Sequence, residues 1–214
     1  MSTRFRERRW QLALLPPHCC LCDLPADDDR DLCRSCAADL PAPGQVCRRC
    51  GEPLPRDALP WPCGRCQRRP PPWHALQARC RWSPPAATIV HRLKFGGHGE
   101  CARVMAELMI ETPPPFLAPD AVLVPVPLHW RRRWRRGFDQ ARLLTAELAR
   151  LTGQPLHVDA LRRRRATAAQ SGLPARRRRR ALKGAFEARS PPLPEHVVLV
   201  DDVATTGATL AAAA

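Results

Sequence analysis

Four C-x-x-C pairs occupy the first third of the chain: Cys19/Cys22, Cys33/Cys36, Cys47/Cys50 and Cys63/Cys66. A C-x-x-C turn aims two sulfurs at one point, and two such turns complete a tetrahedral thiolate cage. Ten residues separate the first two pairs and twelve the last two. This order predicts two Cys₄ zinc ribbons in tandem, each holding one structural zinc ion. The segment is too small and too polar to build its own core, so zinc binding drives its folding. A disulfide framework would need an export signal. The N-terminal "MSTRFRERRWQLALLPPHCC" has a basic start, but its apolar part is only "LALL", against the roughly 7–15 apolar residues of a signal peptide. A redox C-x-x-C would need a thioredoxin-like βαβ setting, which the surrounding sequence lacks. Cys20 is an alternative ligand to Cys19, with less usual spacing to Cys22. Cys80 and Cys101 have no partner in the pattern and are expected as buried thiols. His18 and His74 lie near the cluster, but four thiolates per zinc leave them no vacancy.

The chain changes character near residue 70. The stretch "QRRPPPW" (67–73) looks like a stiff linker, which divides the 214 residues into a ribbon unit (1–70) and a second unit (71–214). In the second unit, 84–95 and 99–111 are expected to be helices. Residues 121–127, "AVLVPVP", are expected to form a buried strand ended by prolines. Residues 138–152 carry apolar residues at helical spacing, with Gly153 as the stop. "HVVLV" (196–200) is a second buried strand. Alternating strands and helices predict a parallel α/β sheet. The Arg-rich stretch from 161 to 180 shows no periodicity and is expected to be a mobile loop. No stretch approaches the roughly 18 apolar residues of a membrane span, and the chain is expected to be cytoplasmic.

The second strand runs into "DDVATTGATL" (201–210). Open α/β sheets bind ligands at the carboxyl ends of their strands. Two adjacent carboxylates there can accept hydrogen bonds from a ribose diol or face Mg²⁺. The loop offers backbone N–H groups and hydroxyls to an anion, and Gly207 allows close backbone approach. Together these describe a ribose 5-phosphate site. The plainer alternative is that "DD" merely caps and turns the chain before a helix. Only seven residues follow Gly207. The helix is therefore expected to be cut off in mid-course and the domain to be truncated at its C-terminus, lacking a further strand.

"VVLVDDVATTGAT" resembles the phosphoribosyl-pyrophosphate (PRPP) loop of type I phosphoribosyltransferases. "HRLKFGGHG", "VPVPLHWRRRWRRGFDQARLLTAELA" and "RRRRATAAQSGLPARRRRRALKGAF", with the paired-cysteine ribbons, are similar to the ComF family. The resemblance implies a phosphoribosyltransferase-like fold and a role in natural transformation alongside other DNA-uptake proteins. It places the ribose of PRPP, with Mg²⁺, on the candidate catalytic pair Asp201 and Asp202. The 5-phosphate falls on Ala204, Thr205, Thr206, Gly207, Ala208 and Thr209, and the pyrophosphate beside Arg136, Gly137 and Phe138. Lys94 is a further anion-binding candidate, and Thr167 and Gln170 match a T-x-x-Q of the mobile loop. The chain departs from the family at Asp139, where Asn is usual, and before the A-F of "RRRRALKGAF".

The formal net charge is +15, almost all arginine, with Lys94 and Lys183 the only lysines. Coding bias toward arginine and an anionic partner both explain this, and charge alone does not choose. The runs "RRRWRR" (131–136), "RRRR" (162–165) and "RRRRR" (176–180) suit a solvated surface, PRPP or single-stranded DNA. Three functions remain: a DNA-uptake protein that binds PRPP, an active Mg²⁺-dependent phosphoribosyltransferase, and a zinc-ribbon regulator. The last is weakest, because the ribbons show no basic reading surface of their own.

Overall fold

The computed structural model describes residues 17–26, 30–58, 62–165, 180–189 and 194–214. The two ribbons are built alike. In the first, an antiparallel bridge between His18 and Pro25 frames the Cys19–Cys22 turn, and Cys33 caps helix α1 (Arg34–Ala38). In the second, a bridge between Val46 and Pro53 frames the Cys47–Cys50 turn, and Cys63 opens α2 (Gly64–Arg68). The residue after each second cysteine has positive φ: Gly51 in the second ribbon and Asp23, at 60°, in the first. Aspartate is among the few side chains that tolerate this region.

Helix α3 (Pro84–Phe95) starts where Ser83 Oγ accepts from the Ala86 N–H at 3.5 Å, with proline in the first turn, and ends at Gly96. Helix α4 (Glu100–Ile110) lies between two cores. Its Cys101, Ala102, Val104 and Leu108 join Ile89 and Leu93 of α3 and Cys19, Cys20, Leu32 and Leu40 of the first ribbon. Its Ala106 faces the other way, toward Leu123, Leu144, Leu148 and Val200. The first ribbon thus shares a hydrophobic core with α3 and α4. The bidentate ion pair from Arg92 to Asp23, at 2.7 and 3.0 Å, pins the same junction. Cys20, the alternative ligand, turns away from the cysteine cluster toward Cys101.

Strands β1 (Val122–Pro125) and β4 (Val197–Val200) pair in parallel, Val122 opposite Val197 and Pro125 opposite Val200. Both faces are covered. Leu123 and Val200 meet α4 and helix α6 (Gln140–Thr152), whereas Val122 and Val124 pack with Ala160, Leu161, Val197 and Leu199. Burial on two sides is why these strands read as unbroken apolar runs. Helix α5 (Trp130–Arg136) follows β1, capped by His129 and ended by Gly137 at φ 82°. Strand β4 leads through residues 201–207 into α7 (Ala208–Ala213).

The Arg-rich stretch differs from expectation at its start. Leu161–Arg163 forms β2, which pairs antiparallel with β3 (Phe186–Ala188). Leu161 and Arg163 are buried and Arg162 is exposed. An inward-facing arginine inverts the usual apolar alternation, so no strand signal is visible in the sequence. Residues 166–179, including Thr167 and Gln170, lie outside the described residues. The observed architecture is a mixed helix–strand unit with a small parallel sheet and a separate antiparallel pair. Among the described residues, no helix is long and apolar enough to cross a membrane.

Candidate functional site

The cysteines converge as their spacing predicts. Cys19, Cys22, Cys33 and Cys36 form one group and Cys47, Cys50, Cys63 and Cys66 a second, with the sulfurs of each group within 4.8 Å of one another. Sulfurs bound to zinc at about 2.3 Å stand about 3.8 Å apart in a tetrahedron. The Cys22–Cys33 and Cys50–Cys63 sulfur separations are 3.9 and 3.7 Å. One cysteine of each cluster is held ready to ionise by backbone donors, whereas burial and the neighbouring sulfurs push Cys36 and Cys66 up. Burial opposes ionisation of Cys19, but N–H donors from Cys33, Leu21 and Cys22 outweigh it and bring its pKa down to about 6. Cys47 is likewise buried and brought to about 6 by the N–H groups of Cys63, Cys50 and Arg49. Two Cys₄ clusters of this kind fit two structural zinc sites. Cys20 belongs to neither group: it is hydrogen-bonded to Cys101, and that bond together with burial pushes its thiol up.

A second site lies at the carboxyl ends of β1 and β4. A cleft of about 190 Å³ is lined by Val126, Pro127 and Leu128 after β1, by Asp201 and Asp202 after β4, and by Lys94, Arg136, Gln140, Arg163 and Thr209. Seven segments of the chain deliver these residues from positions up to 115 residues apart in sequence, Lys94 to Thr209. Lys94 Nζ forms an ion pair with Asp202 Oδ2, and the Asp202 N–H donates to Asp201 Oδ1 at 2.9 Å. Burial, and then the adjacent Asp202 charge, hold the Asp201 pKa well above the ordinary carboxylate value. The site therefore already contains one cation held against a crowded acidic pair.

Arg136 donates to Gln140 Oε1 at 3.0 Å, and its guanidinium lies 4.9 Å from the Phe95 ring centre. Gln140 is 2% exposed, and its Nε2 has no hydrogen-bond partner among the described residues. A buried donor left open at a cleft wall is costly unless something from outside pairs with it. Arg163, also buried, stacks on Phe186 at 5.3 Å and reaches the cleft from β2. Gly207 has φ 67°, and a Cβ there would stand 2.9 Å from Trp73. Ala204, Thr205 and Thr206 are exposed beside the cleft, and Ala208 is buried.

Lys94, Arg136, Asp201, Asp202 and Thr209 are thus brought together, whereas Gly137 serves as the left-handed end of α5 and does not line the cleft. Asp139 is buried: its Oδ2 accepts from the Leu128 N–H at 3.0 Å and its Oδ1 from the Arg142 N–H at 3.4 Å. Two acceptor oxygens suit this double role of helix cap and loop tie. Gln140 and Arg163 were missed from sequence. Gln140 heads the buried stripe that continues at Leu144 and Leu148, and a glutamine opening an apolar stripe was the available signal. A larger hollow of about 430 Å³ beside α3 is lined, among the described residues, by Thr88, His91, Arg92, Phe95, Gly96 and His98.

The double zinc ribbon domain family matches residues 11–80. The chain is 40% identical over 204 residues to the DNA utilization protein YhgH of Salmonella typhimurium, spanning 92% of this chain and 88% of that protein. The corresponding Escherichia coli K12 protein is 38% identical over 204 residues, with the same coverage. Competence protein F of Haemophilus influenzae is 32% identical over 188 residues, spanning 84% of this chain and 80% of that protein. No solved structure matches the chain. With two Cys₄ ribbons and similarity of this extent along most of its length, the chain belongs to the ComF family.

Proposed function

We propose that the chain acts in DNA utilization or uptake through a type I phosphoribosyltransferase-like domain that binds PRPP in the cleft after β1 and β4. The observation that carries this reading is the meeting of Lys94, Arg136, Arg163 and Gln140 with Asp201 and Asp202 at the carboxyl ends of two parallel strands. Cationic and amide donors suit phosphate oxygens, and a carboxylate pair suits a ribose diol or a hard cation. At about 190 Å³ the cleft is smaller than the roughly 300–1,000 Å³ typical of ligand sites. PRPP would therefore lie partly outside it, against the exposed residues 204–206.

Asp202 and, once its proton is displaced, Asp201 would offer oxygen ligands of the kind Mg²⁺ prefers, in competition with the Lys94 ammonium at Asp202. Bound Mg²⁺ would neutralise charge on pyrophosphate oxygens. The chain's own part is to hold the ribose at Asp201 and Asp202 and to keep Arg136, Arg163 and Gln140 aimed at the anionic end. In a transferase, the same donors would stabilise charge developing on the departing pyrophosphate.

A second reading, single-stranded DNA binding, is favoured by α5. Trp130 and Trp134 are 58% and 85% exposed, and Arg131, over the Trp130 ring at 5.3 Å, and Arg133 are exposed on the same helix. Exposed tryptophans among arginines offer stacking faces and phosphate contacts. Titrating PRPP and single-stranded DNA into one sample, with and without Mg²⁺, separates the readings. Mg²⁺-dependent PRPP binding supports the cleft assignment. DNA binding without PRPP binding would leave α5 as the functional surface and the cleft without its ligand.

A further inference from the structure

The segment after the second ribbon touches two distant features at once. Trp73 Nε1 donates to the Arg49 carbonyl at 2.6 Å, and the Leu76 N–H donates to the Arg48 carbonyl at 3.0 Å. Arg48 and Arg49 are the two residues between Cys47 and Cys50, so both acceptors belong to the turn that the second zinc would hold. Leu76 also covers the left-handed Gly51 that follows this turn, where a Cβ would stand 2.8 Å from its Cδ2. The expected linker is therefore docked on the second ribbon. The far edge of the Trp73 indole lies against Gly207, where a Cβ would stand 2.9 Å from Cη2. Gly207 begins α7 with no side-chain cap, and Thr209, two residues on, lines the cleft.

We propose that Trp73 is a positioning residue: it holds the loop at 204–209 in shape by transmitting the fixed backbone of the second zinc ribbon to Gly207. An uncapped left-handed glycine does not by itself fix the turn before it. A rigid indole, oriented by one bond to a metal-held turn, supplies the missing wall. Opening the second cysteine cluster frees the Arg48 and Arg49 carbonyls, releases Trp73 and loosens the loop. The consequence for affinity rests on the reading of this loop as part of a PRPP site. The brace itself does not.

The test is hydrogen exchange on the zinc-loaded full chain, read at residues 203–210. Trp73→Phe keeps a ring near Gly207 but has no donor for Arg49. Exchange should rise roughly two- to tenfold, the factor expected for one lost hydrogen bond, with zinc content unchanged. Cys63→Ser should give the same rise without altering Trp73. In 5-fluorotryptophan-labelled protein, the Trp73 resonance, assigned by its loss in Trp73→Phe, should shift when the second zinc is lost and again when PRPP is added. A tryptophan that only stabilises the fold would not respond to the ligand. Unchanged exchange in both variants, or a resonance indifferent to zinc, overturns the brace. Raised exchange in a protein that never binds PRPP overturns the PRPP reading and leaves the brace standing. Equal PRPP affinity in wild type and Trp73→Phe, with unchanged exchange, does the reverse.

Discussion

At the scale of single residues, Asp201 carries the clearest conflict between folding and function. Burial and the neighbouring Asp202 charge raise its pKa far above that of an unfolded aspartate. The folded chain therefore keeps a proton that the unfolded chain has released. Stability falls as pH climbs from the ordinary carboxylate range through the raised pKa. Asp201→Asn removes that penalty. The variant should melt higher than wild type near neutral pH, by about 2–4 °C for each kcal/mol of repulsion relieved. The gain should vanish below the unfolded carboxylate pKa, where both forms are neutral. Thermal scans at pH 3 and pH 7 check this, and a variant that melts lower at pH 7 would mean that Asp201 is an anchor of the fold. Asp139 is also buried, and both its oxygens accept backbone N–H bonds, so the departure from the family's asparagine is absorbed by local structure.

At the scale of elements, most of the fold was legible because its signals are local. The helix expected over 84–95 is found at Pro84–Phe95, bounded by Ser83 and Gly96. The helix expected from residue 138 starts at Gln140, because Asp139 caps it. The two apolar runs became parallel strands, and the cysteine spacing gave both clusters. What stayed hidden depends on tertiary partners. Strand β2 places Arg163 inward, against Phe186 and the cleft, and no periodicity rule anticipates an inward arginine. Gln140 was read as one residue of a helix, and only the position of α6 against β1 makes it a wall of the cleft. The docking of Trp73 on the second ribbon depends on contacts between segments that are remote in sequence.

Helix α5 carries its own prediction. Single-stranded DNA binding should weaken with salt, each neutralised phosphate contributing about 0.7 to the slope of log affinity against log salt. Arg131→Ala with Arg133→Ala should flatten that slope by about 1.4 if each arginine meets one phosphate. Trp134→Ala should weaken binding by about 1–3 kcal/mol, the usual worth of one stacked base, without changing the slope. An unaltered slope in the arginine variant would remove α5 from the DNA surface.

At the scale of the whole molecule, the ribbons are structural parts of the second unit as well as metal sites. The first shares a core with α3 and α4 through Cys20, Leu32, Leu40 and Cys101, and the second reaches Gly207 through Trp73. Purified protein should contain two zinc ions per chain, released together with loss of cooperative unfolding when a strong chelator is added. A folded, reduced protein with no bound zinc would contradict the metal assignment. The most direct measurement of the central claim is calorimetric titration of PRPP, with Mg²⁺, into the wild type and into the Asp201→Asn, Asp202→Asn double variant. The expected result is saturable binding by the wild type and no detectable heat from the folded double variant. Equal PRPP affinity in the two proteins, or no binding by the zinc-loaded wild type, would contradict the assignment of the cleft.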